Sequence, residues 1–185
     1  RIVSPWEVEV NGRTLAARNI IIASGARPRV PDIPGLETLD YLTSDTVWEL
    51  REAPDHLLVV GAGPIGCELA QALARLGTRV TLVTHADRVL PREDPEVSAA
   101  LAATLVAHGM TVHTRYEPLA FGRDADGQRA TFKTPDGQQE LAFDRVLLAV
   151  GRHANVEDMG LEALGIPLTA AGTVTVDDHL RTRIP

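Results

Sequence analysis

The chain has 185 residues, 44% of them hydrophobic and 23% charged, with a formal net charge of −7. This is the composition of a soluble globular protein, long enough for one good core or for one domain plus pieces of another. The negative balance argues against a nucleic-acid surface. No apolar run approaches the ~20 residues of a membrane span, and the single cysteine, Cys67, leaves no internal disulfide to form. The first residue is Arg1 rather than Met and no secretory leader is visible. The expectation is therefore an excised part of a longer, cytoplasmic polypeptide.

Residues 6–10 and 14–17 flank Asn11-Gly12, which predicts a hairpin. Residues 20–23, IIIA, read as a buried strand that opens into Ser24-Gly25. Residues 28–35, PRVPDIPG, hold three prolines and a glycine and predict an extended linker. A domain boundary is expected between this linker and Asp45.

The next unit starts with a strand at 57–60. A helix follows, with Pro64 at its start, Gly77 just past its end, and Ile65, Leu69, Leu73 and Leu76 on one face. A strand at 80–83 precedes a second helix, announced by Asp94 as N-cap, Pro95 and Glu96. Val97, Leu101 and Leu105 are its expected apolar stripe and Gly109 its stop. A third strand spans 111–114. The β-α-β-α-β order with short links predicts a parallel sheet with right-handed crossovers.

Two turn signals, Asp126-Gly127 and Asp136-Gly137, separate segments 117–121, 129–134 and 139–143, which predicts an antiparallel meander. A last apolar strand at 146–150 ends in Gly151-Arg152. A short helix at 161–164, a turn at Ala171-Gly172 and a strand at 173–176 complete the reading. The fold class is α/β: a Rossmann-like parallel sheet with an appended antiparallel meander.

The most informative stretch is residues 57–77, LLVVGAGPIGCELAQALARLG, where Gly61, Gly63 and Gly66 complete G-x-G-x-x-G between a strand and a helix. That context is what a dinucleotide-binding loop requires. Gly61 serves the tight turn, Gly63 lets the backbone approach a pyrophosphate, and Gly66 lets helix and strand pack closely. The first free N–H groups of the helix, near Pro64, Ile65 and Gly66, then face the phosphates with the positive end of the helix dipole behind them. Ligands of open α/β sheets bind outside the carboxyl ends of the strands, which puts Gly151 on the same edge as Gly61.

Four ordered segments resemble the flavin-dependent pyridine nucleotide–disulfide oxidoreductases, a family that includes lipoamide dehydrogenase, glutathione reductase and mercuric reductase. Residues 20–35, IIIASGARPRVPDIPG, resemble its A-T-G-x-x-P…I-P-G segment, with Ser24 for threonine. Residues 61–70, GAGPIGCELA, resemble its second glycine fingerprint. Residues 147–155, LLAVGRHAN, resemble its strand plus G-R-x-P-N, with Ala154 for proline. Residues 174–184, VTVDDHLRTRI, resemble the segment before its FAD-binding G-D motif. Residues 92–97, REDPEV, resemble the R-E-D-P-x-x segment of mercuric reductase, a resemblance nearer than that to lipoamide dehydrogenase, although Asp-Pro-Glu is also simply a good helix N-terminus.

The resemblance implies that residues 45–152 form the NAD(P)-binding domain, with 1–44 and 153–185 as flanking pieces of an FAD domain. NADP or NAD would bind this chain and FAD the full-length protein. Hydride would pass from NAD(P)H to FAD and on to a disulfide or metal-ion acceptor, in a homodimer whose other partner is a small molecule. The family's first glycine fingerprint and its C-x-x-x-x-C pair fall outside this chain, so the fragment is expected to be inactive alone. The other functions kept open are a non-disulfide flavin oxidoreductase such as a transhydrogenase, and a nucleotide-binding module without redox chemistry.

The resemblance also assigns roles. Glu68 matches the family glutamate that orients nicotinamide and flavin; the plain reading is an acid on the first turn of the helix, favoured there by the helix dipole. Pro64 stands where some members carry an aromatic lid over the flavin. Cys67 lacks a partner thiol and reads as core. Thr84 ends the second strand, where NAD-binding members place an acid on the ribose. Its neutral side chain, with His85, Arg88 and Arg92 nearby, points to NADP(H); the plain reading is a solvated loop. Arg152 and Asn155 lie past the last strand; the resemblance puts Gly151 against the nucleotide, the plain reading makes Arg152 an interdomain ion-pair residue, and the two readings are even. The six histidines show no metal-ligand spacing, and no metal site is expected.

Overall fold

The computed structural model describes residues 1–125 and 127–184; Asp126, half of one predicted turn, lies outside them. The strands in chain order are β1 (Ile2–Ser4), β2 (Glu7–Val10), β3 (Arg13–Ala16), β4 (Ala26–Pro28), β5 (Leu42–Thr43) and β6 (His56–Val60). After helix α1 (Pro64–Arg75) come β7 (Arg79–Thr84), helix α2 (Pro95–Ala107) and β8 (Thr111–Thr114). Then follow β9 (Glu117–Asp124), β10 (Gly127–Thr134), β11 (Gly137–Phe143), β12 (Arg145–Leu148) and β13 (Arg152–Ala154). The contacts divide into two units: Pro28–Gly151, and Arg1–Arg27 with Arg152–Pro185.

The larger unit is built on a sheet of order β5-β12-β6-β7-β8, parallel at every pairing. Both faces of this sheet are covered, which is why its central strands β6 and β12 read as unbroken apolar runs instead of alternating. Leu57, Val59, Val80, Leu82 and Leu147 face the helices, packing with Cys67, Ala70 and Leu105. Leu58, Val60, Val83, Val146 and Leu148 face the meander, packing with Phe121, Phe132 and Phe143. The meander is the antiparallel sheet β11-β10-β9 that the turn spacing predicts.

Two helix faces differ from the sequence pattern. The buried residues of α1 are Gly66, Cys67 and Ala70, with Leu69 and Leu73 partly covered; Leu76, already past the last helical turn, is 74% exposed. Small side chains let α1 lie close to the sheet, so the contact face is narrower than the leucine spacing suggests. On α2, Leu101 and Leu105 pack on the core as expected, but Val97 is exposed and Ser98 is buried in its place. Ser98 is tolerated there because its hydroxyl donates to Leu90 O at 3.1 Å. Asp94 occupies the N-cap position, but its side chain makes no capping bond.

In the smaller unit, β1-β2-β3 form an antiparallel sheet and β13 pairs β4. The Asn11-Gly12 hairpin forms as predicted, with φ of 50° and 72° at its two turn residues. Three expectations fail here. Residues 20–23 are not a strand: they find no ladder partner among the described residues, and Ile21 is 89% exposed. Residues 173–176 make one bridge, Leu168 to Val174, rather than a strand. Residues 161–164 are a turn rather than a helix, because Gly160 and Gly165 bracket them with φ of 84° and 66°. Left-handed residues at both ends leave room for a single helical turn, closed by Leu164 N–H on Gly160 O.

Candidate functional site

The glycine loop joins β6 to α1, and its three glycines have different reasons to be there. Gly61 sits at φ 110°, and a Cβ on it would meet Ala149 O at 2.3 Å. A Cβ on Gly66 would meet Gly61 O at 1.9 Å. Both are required by the protein's own backbone. Gly63 is required by neither turn nor packing: its φ is −75° and a Cβ there would meet nothing within 4 Å. It caps α1 without a side-chain bond, and Pro64 is the first helical residue. Cys67 N–H bonds to Gly63 O at 3.0 Å, leaving the Ile65 and Gly66 N–H groups with no acceptor inside the helix. A bare loop surface therefore faces outward at the positive end of the helix dipole.

Beside this loop, a cleft of about 700 Å³ opens along the carboxyl edge of the sheet. Its floor is Val60 and Gly61 after β6, Thr84 and His85 at the end of β7, Arg115 and Tyr116 after β8, and Val150 after β12. The linker adds Arg29, Pro31 and Ile33, and the meander adds Pro118, Lys133 and Pro135. The charge is mainly positive. Glu117 is the one acid in the lining, and it pairs with Lys133 at 3.8 Å.

Of the residues singled out from sequence, Gly61, Thr84 and His85 line the cleft, with Gly63 in the adjoining loop and Pro64, Ile65 and Gly66 in the first turn of α1. Thr84 is 5% exposed, and its Oγ1 accepts a bond from Ala86 N–H at 3.2 Å. Gly151 follows β12 and accepts Arg29 N–H at 2.9 Å through its carbonyl. Arg88 does not line the cleft: its Nη2 donates to Pro91 O at 3.1 Å, its Nη1 lies 3.7 Å from Asp87, and its Nε is buried without an acceptor. It braces the loop after β7. Arg92 is exposed. Glu68 is exposed too, in the second turn of α1 rather than the first, where the helix dipole has largely faded.

Cys67 is buried, with its Sγ 3.5 Å from Ala62 O. Burial, and then the charge of Glu68, pushes its thiol up to about 11, so it stays protonated and unreactive at neutral pH. Among the described residues no group of three or more His, Cys, Asp or Glu could hold a metal ion. In the smaller unit, Arg152 donates to Ala26 O and Asn155 Nδ2 to Ser24 O. Arg27 holds Glu157 in a bidentate pair, and that hydrogen bonding lowers the Glu157 carboxyl to about 2.

Sequence reasoning missed Arg29, Arg115, Tyr116 and Lys133. Arg115 could have been found, since it directly follows the third strand and so sits at the ligand-binding edge. Lys133 could not, because it arrives when the meander folds back over the sheet, which no local pattern reports.

Two histidines of this unit give a pH prediction. Burial lowers the pKa of His56, with Arg79 adding to the effect, and burial lowers that of His113. The unfolded chain then takes up these protons first. Stability is complete above the ordinary histidine value of about 6.5 and falls as pH drops below it. Thermal midpoints should be lower at pH 5.5 than at pH 7.5, and the difference should shrink in His56→Gln, which keeps a partner for Thr81, now 2.9 Å from the ring. An equal difference in the variant would clear His56 of this role.

The architecture is that of a Rossmann-like α/β protein with its glycine loop at the carboxyl edge. The family model for pyridine nucleotide-disulphide oxidoreductases matches residues 1–185. The chain is 44% identical over 172 residues to a mercuric reductase of Streptomyces lividans, covering 93% of this chain and 36% of that protein. It is 32% identical over 194 residues to a dihydrolipoyl dehydrogenase of Thermus scotoductus, covering 100% of this chain and 41% of that protein. Among solved structures, the HOCl-induced flavoprotein disulfide reductase RclA of Escherichia coli superposes with a TM-score of 0.83 at 29% identity, over 99% of this chain and 42% of that one. LpdA of Mycobacterium tuberculosis gives 0.82 at 28% identity, over 100% and 41%. The chain belongs to the pyridine nucleotide-disulphide oxidoreductase family, and spans about two fifths or less of the length of these relatives.

Proposed function

We propose that residues 45–152 are the NAD(P)H-binding domain of a flavoprotein reductase, with 1–44 and 153–185 as parts of its FAD domain. The whole protein would pass reducing equivalents from NAD(P)H through FAD to a metal ion or a disulfide. A metal-ion acceptor comes first, because the S. lividans mercuric reductase is the more similar of the two relatives described. A bound pyridine nucleotide supplies the hydride; the protein's part is to hold and orient it. Gly61, Gly63 and the first turn of α1, from Pro64 to Gly66, would take the pyrophosphate. Thr84 and His85 would flank the adenosine ribose, Gly151 would close the same edge, and Glu68 would lie toward the reacting ring.

The observation that carries this reading is Gly63. A glycine with ordinary φ and an empty Cβ position is required by neither turn nor packing, and a ligand backbone close above it accounts for it. Gly63→Ala is expected to leave the thermal midpoint within about 3 °C of wild type. The entropy gained by alanine and the weaker cap nearly offset each other, each being roughly 0.5–1 kcal/mol. Affinity for the preferred nucleotide, followed by calorimetry with NADPH and NADH, should fall about tenfold or more. No heat with either nucleotide from folded wild-type protein would refute the proposal.

A further inference from the structure

We infer that Arg115, not the arginines of the loop after β7, is the residue that recognises the adenosine 2′-phosphate and makes this site prefer NADPH over NADH. The inference rests on the nucleotide site proposed above and concerns only which side chain selects between the two coenzymes.

The second strand of such a fold ends at the adenosine ribose. Here β7 ends at Thr84, whose buried hydroxyl is already occupied in accepting Ala86 N–H at 3.2 Å. It brings neither a carboxylate to hold two ribose hydroxyls nor a charge to repel a phosphate. The β8 chain runs alongside in register, Thr84 opposite Thr114, so that the next residue, Arg115, lies against the Thr84–Ala86 turn. Two backbone bonds fix it there: Arg115 N–H to Ala86 O at 2.8 Å and Tyr116 N–H to Thr84 O at 2.9 Å. Arg115 pays for this seat with a φ of 60°, a conformation disfavoured for a side chain of its size.

Arg115 lines the cleft, and its exposed side chain makes no hydrogen bond or ion pair among the described residues. Arg88 is the reverse case: nearer in sequence to Thr84, but tied to Pro91 O and Asp87 and absent from the lining. The other cations in the cleft are less suited. Lys133 is paired with Glu117. Arg29 lies beside Gly151, at the β12 end of the edge, three strand spacings or roughly 14 Å from β8. His85 is adjacent and adds a second donor. A partnerless, bidentate-capable cation held at the ribose end of a nucleotide cleft fits a phosphate monoester.

The test is titration of NADPH and NADH into wild type, Arg115→Asn and Arg88→Ala, with the thermal midpoint of each recorded. Asparagine tolerates positive φ, so Arg115→Asn should fold as wild type does. Its NADPH affinity should drop by roughly tenfold to a hundredfold, the range for losing a hydrogen-bonded charge, with NADH affinity within threefold. Arg88→Ala should melt earlier and keep the wild-type preference. Binding of both coenzymes with a preference unchanged in Arg115→Asn, a preference lost in Arg88→Ala instead, or a wild-type preference for NADH would each overturn the assignment alone. Absence of binding by wild type would overturn the nucleotide reading beneath it.

Discussion

Gly66→Ala is expected to destabilise the larger unit by roughly 3 kcal/mol or more, the upper range for forcing an atom into a packed interior. The added methyl carbon would stand 1.9 Å from Gly61 O and 3.2 Å from the Ala149 side chain. The first of these is a backbone atom at a turn that cannot yield: Gly61 N–H is bonded to Val83 O at 2.8 Å, and a Cβ on Gly61 would itself strike Ala149 O. The loop is thus wedged between α1 and β12, and relief requires α1 to lift off the sheet. That would uncover Cys67 and Ala70, now 3% and 0% exposed. For a chain of this length the loss corresponds to a fall in thermal midpoint of roughly 6–12 °C. Circular dichroism melts of wild type, Gly63→Ala and Gly66→Ala measure it. The two substitutions lie three residues apart, yet one removes ligand and spares the fold while the other breaks the fold. Equal melts for all three would mean that α1 can move away at little cost and that the glycine loop is not wedged.

The same contrast shows what the amino-acid sequence can and cannot report. The parallel sheet, its two helices and the meander were legible because each leaves a local signature: unbroken apolar runs at 57–60 and 146–148, a mostly apolar one at 80–83, proline at each helix start, and glycine at the meander's turns. Strands that owe their existence to a distant partner were not. β5 is two residues long and is defined only by lying beside β12. Conversely, residues 20–23 look like a strand, but an apolar run becomes one only where a neighbour offers a ladder. Helix faces were read to within one residue, and that residue mattered: Ser98 takes the buried place expected of Val97 because the carbonyl of Leu90 is there to accept its hydroxyl.

The candidate site divides in the same way. Its glycines and the end of β7 are contiguous in sequence and could be named in advance. The cations around them come from the linker, from β8 and from the meander, and only the fold gathers them. Charge near in sequence was a poor guide to charge near in space. Arg88, four residues from Thr84, is spent on holding its own loop, whereas Arg115, thirty-one residues away, lies against the same turn.

Thr84→Glu should reverse the coenzyme preference. A carboxylate at this position would accept hydrogen bonds from the adenosine ribose hydroxyls of NADH and repel the extra phosphate of NADPH. It would also lie against Arg115, the inferred phosphate partner, and pair with it, so that attraction is lost as repulsion is gained. Each effect worth ~1.4 kcal/mol is tenfold in affinity, and the ratio of NADPH to NADH affinities is expected to move toward NADH by at least about tenfold. Some stability is lost as well: Thr84 is buried and its hydroxyl accepts Ala86 N–H, so the longer side chain must turn out into the cleft and that N–H must find a new acceptor. An unsatisfied buried donor costs roughly 1–3 kcal/mol, which sets the drop in thermal midpoint to expect alongside the altered ratio. Combining Thr84→Glu with Arg115→Asn separates the two contributions. If the carboxylate acts partly by capturing Arg115, the second substitution adds less to the first than it does to wild type. Full additivity would show that the two residues act independently, and an unchanged ratio in Thr84→Glu would show that the end of β7 does not read the ribose at all.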